Sequence, residues 1–202
     1  KILLEMRQKG WKRIAITSAT PGCGKTTLAC NLIVGMGRQP DARAILFDLD
    51  LRRPSVAKFF GIAPPASISD MLEESVDFSQ QAVKIAPNAA LSLASAPVGD
   101  PARLLTRDSV EGTFDDIQAR YRPDIMIFDT PPVMVSDEAR TLLRLVSSPL
   151  RALLYVFTLV KRRDSQRAEY VADYLSMEIA GNRGAQGLLQ KSLYGHIPPL
   201  QD

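Results

Sequence analysis

The stretch Ser18-Ala19-Thr20-Pro21-Gly22-Cys23-Gly24-Lys25-Thr26-Thr27 decides the reading of this chain. It follows the strand-like run Arg13–Thr17 and opens a segment, Lys25–Met36, whose apolar residues recur at helical spacing. Gly22 and Gly24 let the backbone turn so that successive N–H groups face inward. Lys25 adds a cation beside the terminal phosphates, and the Thr26 hydroxyl is a ligand for Mg²⁺. Pro21, Gly22, Cys23, Gly24, Lys25, Thr26 and Thr27 are therefore expected to cradle a nucleoside triphosphate. Where the full phosphate-loop pattern has a first glycine this chain has Ala19, and the flanking strand and helix supply the context that the substitution weakens.

Strand-like runs alternate with helical patterns along the rest of the chain. The strands expected are Arg13–Thr17, Ala44–Phe47, Leu91–Ala94, Ile125–Phe128, Ala152–Phe157 and Gly187–Leu189. Helices are expected over Lys25–Met36, Ser55–Phe60, Ser69–Glu74, Ala102–Ala119, Ser136–Val146 and Ser165–Met177. This alternation predicts an α/β fold, a mostly parallel sheet with helices on both faces, of the P-loop NTPase type. Ligands of such sheets lie at the carboxyl ends of the strands. The chain divides into one domain over 1–180 and an irregular segment over 181–202.

Two further strand ends carry acids. Asp48 and Asp50 emerge from Ile45-Leu46-Phe47-Asp48-Leu49-Asp50-Leu51-Arg52-Arg53-Pro54, and alternation puts both on one side. Such a pair can hold the metal or accept a proton from an incoming hydroxyl. Asp129 ends Ile125-Met126-Ile127-Phe128-Asp129-Thr130-Pro131-Pro132, where a buried strand delivers one carboxylate to the metal and two prolines stiffen the loop that follows.

Composition narrows the class. The chain has 202 residues, 46% of them hydrophobic and 23% charged, enough for a single core. A net charge of +3 is too small and scattered to indicate nucleic acid, and no nucleic-acid partner is expected. Only Cys23 and Cys30 occur, which argues for a reducing compartment, and no run matches a membrane span or a secretory signal. The expected location is the cytoplasm. The start at Lys1 suggests a piece of something longer.

Taken together, Ser18–Thr26, Asp48-Leu49-Asp50-Leu51-Arg52-Arg53-Pro54 and Phe128-Asp129-Thr130-Pro131-Pro132 resemble the Walker A, A′ and B motifs of the bacterial tyrosine kinases of capsule and exopolysaccharide biosynthesis. The likeness covers about residues 12 to 160, and the Asp-x-Asp-x-Arg-x-Pro element is its most discriminating part. Partition and cell-division ATPases carry an extra lysine early in the loop, where this chain has Thr20. The resemblance implies an ATP- and Mg²⁺-dependent protein-tyrosine kinase, acting on other proteins or on itself. It implies a membrane polysaccharide co-polymerase as partner, fused or separate, and hence a place at the inner face of the plasma membrane. By the same comparison Lys25 contacts phosphate, Thr26, Asp50 and Asp129 hold the metal, and Lys25, Asp48 and Asp50 form the catalytic group, with Asp48 favoured as base. Gln190 stands near the place of the family's adenine-binding Asn, and an amide there offers the same contacts. Two alternatives stand beside this reading: an ATPase switch of the partition type, and a weakly catalytic nucleotide-binding regulator of the co-polymerase.

Departures from the family pattern are specific. The tail carries Tyr194 and no tyrosine cluster, which sets self-phosphorylation of the tail apart from the other expectations. Glu5 and Arg7 do not match the spacing that relatives use to build rings. Arg52 and Arg53 read equally well as a phosphate clamp or a solvated basic turn. Cys23 reads as a small filler, His196 as a surface residue, Lys161-Arg162-Arg163 as a solvated loop, and Phe59-Phe60 and Leu142-Leu143 as core faces of helices.

Overall fold

A computed structural model describes residues 2–18, 20–132 and 152–157. In chain order its elements are α1 (Ile2–Lys9), β1 (Arg13–Ser18), α2 (Lys25–Gly37), β2 (Ala44–Asp48), α3 (Val56–Phe60), α4 (Ile68–Leu72), α5 (Phe78–Gln81), β3 (Val83–Ala86), β4 (Ala89–Ser92), α6 (Pro101–Leu105), α7 (Ser109–Tyr121), β5 (Ile125–Asp129) and β6 (Ala152–Phe157). The strands form one sheet in the order β3-β4-β2-β5-β1-β6. All pairs are parallel except β3 with β4. The expected helices and strands beyond residue 157, and that over 136–146, lie outside the described residues.

Every residue of β1, β2 and β5 is buried, as a central strand covered on both faces requires. Side-chain alternation then splits the core in two. Ile14, Ile16, Ala44, Leu46, Ile125 and Ile127 pack with Leu28, Ile33 and Met36 of α2 and with Met6 and Val56. Ala15, Ile45, Phe47, Met126 and Phe128 pack on the other face with Met71, Leu72, Phe78, Phe114 and Ile117.

Phe47 lies at the centre of the second half. It stacks on Phe128 at 5.1 Å and meets the edge of Phe114 at 5.2 Å, with no exposed surface. Phe47→Ala should destabilise the protein by about 3–5 kcal/mol, because the strands around the cavity cannot collapse into it. A urea titration followed by circular dichroism measures this, and a loss under 1 kcal/mol would contradict the packing.

The structure departs from the sequence reading in four places. The helix expected over Ala102–Ala119 is two. Asp100 caps α6 by accepting from Arg103 N at 3.1 Å, and α6 stops with Thr106 at its C-terminal cap before α7 begins. The edge strand β3, which pairs with β4 near the expected Leu91–Ala94, was not expected, since Val83–Ala86 is short, half-buried and irregular in register. It is anchored by Asn88, whose Nδ2 donates to the carbonyls of Met36, Gln39 and Ala42 at 3.0, 2.6 and 2.6 Å. The short helices α1 and α5 escaped notice as well. Phe59, expected in the core, is 47% exposed and rests edge-on against Phe60.

Candidate functional site

The site forms where β1, β2 and β5 end. β2 and β5 are paired so that Asp48 stands directly beside Asp129, and Ile16 of β1 stands beside Asp129 on the other side. Neighbouring parallel strands lie about 4.8 Å apart, so register alone brings two carboxylates to one rim next to the loop that leaves β1. Backbone bonds continue the ladders past the strand ends: Leu49 N donates to Asp129 O at 2.8 Å and Thr130 N to Ile16 O at 3.0 Å. The Thr17 hydroxyl donates to Pro131 O at 2.8 Å, tying the foot of the glycine-rich loop to the loop after β5.

Gly22 and Gly24 have φ of 77° and 79°. A Cβ on Gly22 would meet nothing within 4 Å, so the demand for glycine there is conformational. Gly24 is the residue before α2, which has no side-chain cap and no acid in its first turn. The first N–H groups of this 13-residue helix therefore keep their affinity for an anion. Ser18 braces the loop by donating to Thr20 O at 2.8 Å, and the Cys23 sulfur lies 3.2 Å from the Thr20 hydroxyl. Cys30, behind the loop on α2, is buried and its thiol is pushed up by that burial.

Lys25 reaches into the acids. Its Nζ lies 2.7 Å from Asp50 Oδ2 and 3.5 Å from Asp129 Oδ1, with only 10% of the side chain exposed. Burial pulls the Lys25 pKa down, but Asp129, Asp50 and Asp48 outweigh it and hold the ammonium above its ordinary value. Thr26 donates to Asp129 Oδ2 at 2.6 Å. Asp129 is raised, first by complete burial, with Lys25 and Thr26 opposing. Asp48 is pushed up to about 8 by burial and then by the charge of Asp129, against the pull of the Val56 N–H and Lys25.

One oxygen of Asp48 is fully used. Oδ2 accepts from Ser55 N and Val56 N at 3.2 and 3.1 Å, at the start of α3, while Oδ1 is buried with no partner among the described residues. Such an orphan is expected where the missing partner arrives with a ligand. Among the described residues no three His, Cys, Asp or Glu side chains are set to grip a metal by themselves. The donors present are the Thr26 hydroxyl and the oxygens of Asp50 and Asp129, hard ligands that suit Mg²⁺ when phosphate and water complete its shell.

Lys25, Thr26, Asp48, Asp50 and Asp129 thus converge as expected from the sequence, with the loop 20–27 beside them. Arg52 and Arg53 are exposed. Gln190 lies outside the described residues, as do Tyr194, His196 and Lys161–Arg163. Sequence reasoning missed Ser55, whose Oγ lies 3.2 Å from Thr26 Oγ1. In sequence it is only the first residue of the expected helix Ser55–Phe60, and nothing in its neighbouring residues signals the contact.

No family model matches the chain. It is 35% identical over 133 residues to the tyrosine-protein kinase YwqD of Bacillus subtilis (strain 168), a stretch covering 65% of this chain and 54% of that protein. To the tyrosine-protein kinase Etk of Escherichia coli (strain K12) it is 26% identical over 138 residues, 68% of this chain and 19% of that protein. The chain spans about half the length of the first of these relatives and less of the second. Among solved structures, the VpsO kinase domain superposes with a TM-score of 0.66 at 21% identity, over 87% of this chain and 83% of that one, which shows the same fold. Among the described residues no helix is long and apolar enough to cross a membrane.

Proposed function

We infer that this chain, which belongs to the bacterial tyrosine kinase family, is a domain that transfers the γ-phosphoryl group of ATP to protein tyrosines in the control of capsule or exopolysaccharide synthesis and chain length. The observation that carries the reading is the strand register that sets Asp48 beside Asp129, with Lys25 and Thr26 bonded to the same acids. Residues 1–180 form the catalytic domain in this reading, and 181–202 a tail.

The roles follow from the geometry and the family together. Loop residues Pro21 to Thr27 hold the phosphates through backbone N–H groups, and Lys25 leaves Asp50 to neutralise the charge that develops on them. Thr26, Asp50 and Asp129 hold Mg²⁺, which screens the phosphate charge when bound. Asp48 takes the phenolic proton on Oδ1 as the tyrosine oxygen bonds to the γ-phosphorus and the bond to the β-phosphate oxygen breaks, releasing ADP. Burial and the neighbouring Asp129 raise the proton affinity of this carboxylate, which makes it a stronger base than an exposed aspartate once it is ionised. Gln190 contacts the adenine. The partner is a membrane polysaccharide co-polymerase, fused or separate, which holds the domain at the cytoplasmic face of the membrane.

The test is to incubate the purified protein with its membrane partner, Mg²⁺ and γ-labelled ATP. Label on tyrosine is the expected result. Phosphate release with nucleotide-dependent dimerisation would mark an assembly switch, and neither outcome would mark a regulatory docking module; each would overturn the kinase reading.

A further inference from the structure

We propose that Ser55 is a positioning residue that sets the Thr26 hydroxyl for Mg²⁺, joining the loop after Asp50 to the phosphate loop. This inference deepens the nucleotide-site reading above and rests on it.

Ser55 occupies the position before α3 where serine ordinarily accepts from its own helix. It does not do so here: no side-chain cap bond is made, and Asp48 Oδ2 takes the first N–H groups of that helix instead. The hydroxyl is thereby released from capping and lies 3.2 Å from Thr26 Oγ1. Since Ser55 keeps its own N–H on Asp48, the residue spans two acids' worth of the site: backbone to Asp48, and side chain to the hydroxyl that is bonded to Asp129.

The Thr26 hydroxyl has one hydrogen and two lone pairs. Its hydrogen goes to Asp129 at 2.6 Å, and its lone pairs face Ser55 Oγ at 3.2 Å and Lys25 Nζ at 3.4 Å. All three valences are in use. A cation can take only a lone pair, and Lys25 is the contact that gives way when the ammonium turns to phosphate. Ser55 then remains as the donor that holds the second lone pair. A threonine in a helix divides between two side-chain rotamers, so without Ser55 only the Asp129 bond would choose the one that presents oxygen to the metal.

The inference separates Mg²⁺-assisted from metal-free nucleotide binding. Binding of a fluorescent ATP analogue should be measured in Mg²⁺ and in EDTA for the whole protein and for Ser55→Ala and Ser55→Thr. Ser55→Ala should bind about three- to tenfold more weakly in Mg²⁺, the worth of one hydrogen bond, and equally well in EDTA. Ser55→Thr, which keeps the hydroxyl, should restore the Mg²⁺ value. Equal losses in Mg²⁺ and EDTA, no loss in either, or no rescue by threonine would overturn the proposal while leaving the nucleotide site intact. If the unmodified protein fails to bind the analogue, or Lys25→Met binds it as well, the underlying site reading falls and this inference with it.

Discussion

Lys25→Met is expected to lower tyrosine labelling at least about a hundredfold, the scale on which a preorganised charge at the reacting group matters. It should also do something that a simple phosphate contact would not. In the nucleotide-free protein Lys25 is the cation that Asp50 and Asp129 share, at 2.7 and 3.5 Å. Methionine leaves those buried acids facing each other and Asp48 without compensation. The variant should therefore lose about 3 kcal/mol of stability in EDTA, as when one partner of a buried ion pair is removed. Mg²⁺ without nucleotide should then raise its melting temperature more than it raises that of the unmodified protein, because the metal fills the place the ammonium held. Labelling assays and thermal melts with and without Mg²⁺ check both halves. Unchanged labelling would remove Lys25 from the site, and an unchanged melting temperature in EDTA would contradict its structural role.

Asp48→Asn should divide function from stability in the opposite sense. The amide oxygen can still accept from Ser55 N and Val56 N, so α3 keeps its cap, while the negative charge beside Asp129 disappears. Labelling should fall by about 10²–10⁴-fold, the contribution of a placed general base. The nucleotide-free protein should become more stable, by about 2 kcal/mol near pH 8, since a buried charge with an unpartnered oxygen is removed.

The sign follows from linkage. The folded-state pKa of Asp48 lies near 8, above the 3.8 of an unperturbed aspartate, so between these values the folded state binds more protons than the unfolded one. The contribution of Asp48 to stability is then present below pH 4 and is lost as pH rises towards 8. The advantage of the asparagine variant should accordingly grow across this window and level off above it. Chemical denaturation at pH 5, 6.5 and 8 measures this; a gap that shrinks with rising pH would show that Asp48 is not strained by its charge.

The legible parts of this protein were those governed by local periodicity and by short motifs. The loop 18–27 needs left-handed glycines at 22 and 24 and a cation after them, and these requirements are written in consecutive residues. The apolar runs ending in Asp48 and Asp129 likewise announce buried strands whose tips carry acids. Contacts between distant segments were less legible. The break between α6, capped at Thr106, and α7, which begins at Ser109, falls within a run whose apolar spacing reads as one helix. The hairpin at β3 depends on an Asn88 side chain reaching the end of α2, 46 to 52 residues away along the chain.

By itself, then, the order of residues determined the α/β class, the parallel core strands and which groups are candidates for holding phosphate and metal, because each depends on backbone preferences and apolar spacing over a few neighbouring positions. Tertiary structure decided how those groups stand to one another. The β2–β5 register set Asp48 beside Asp129, burial drove both acids upward, Lys25 became the counter-ion of Asp50 and Asp129, and Asp48 displaced Ser55 from its helix cap towards Thr26. Each of these is a relation between side chains that only the folded sheet brings within a few ångströms.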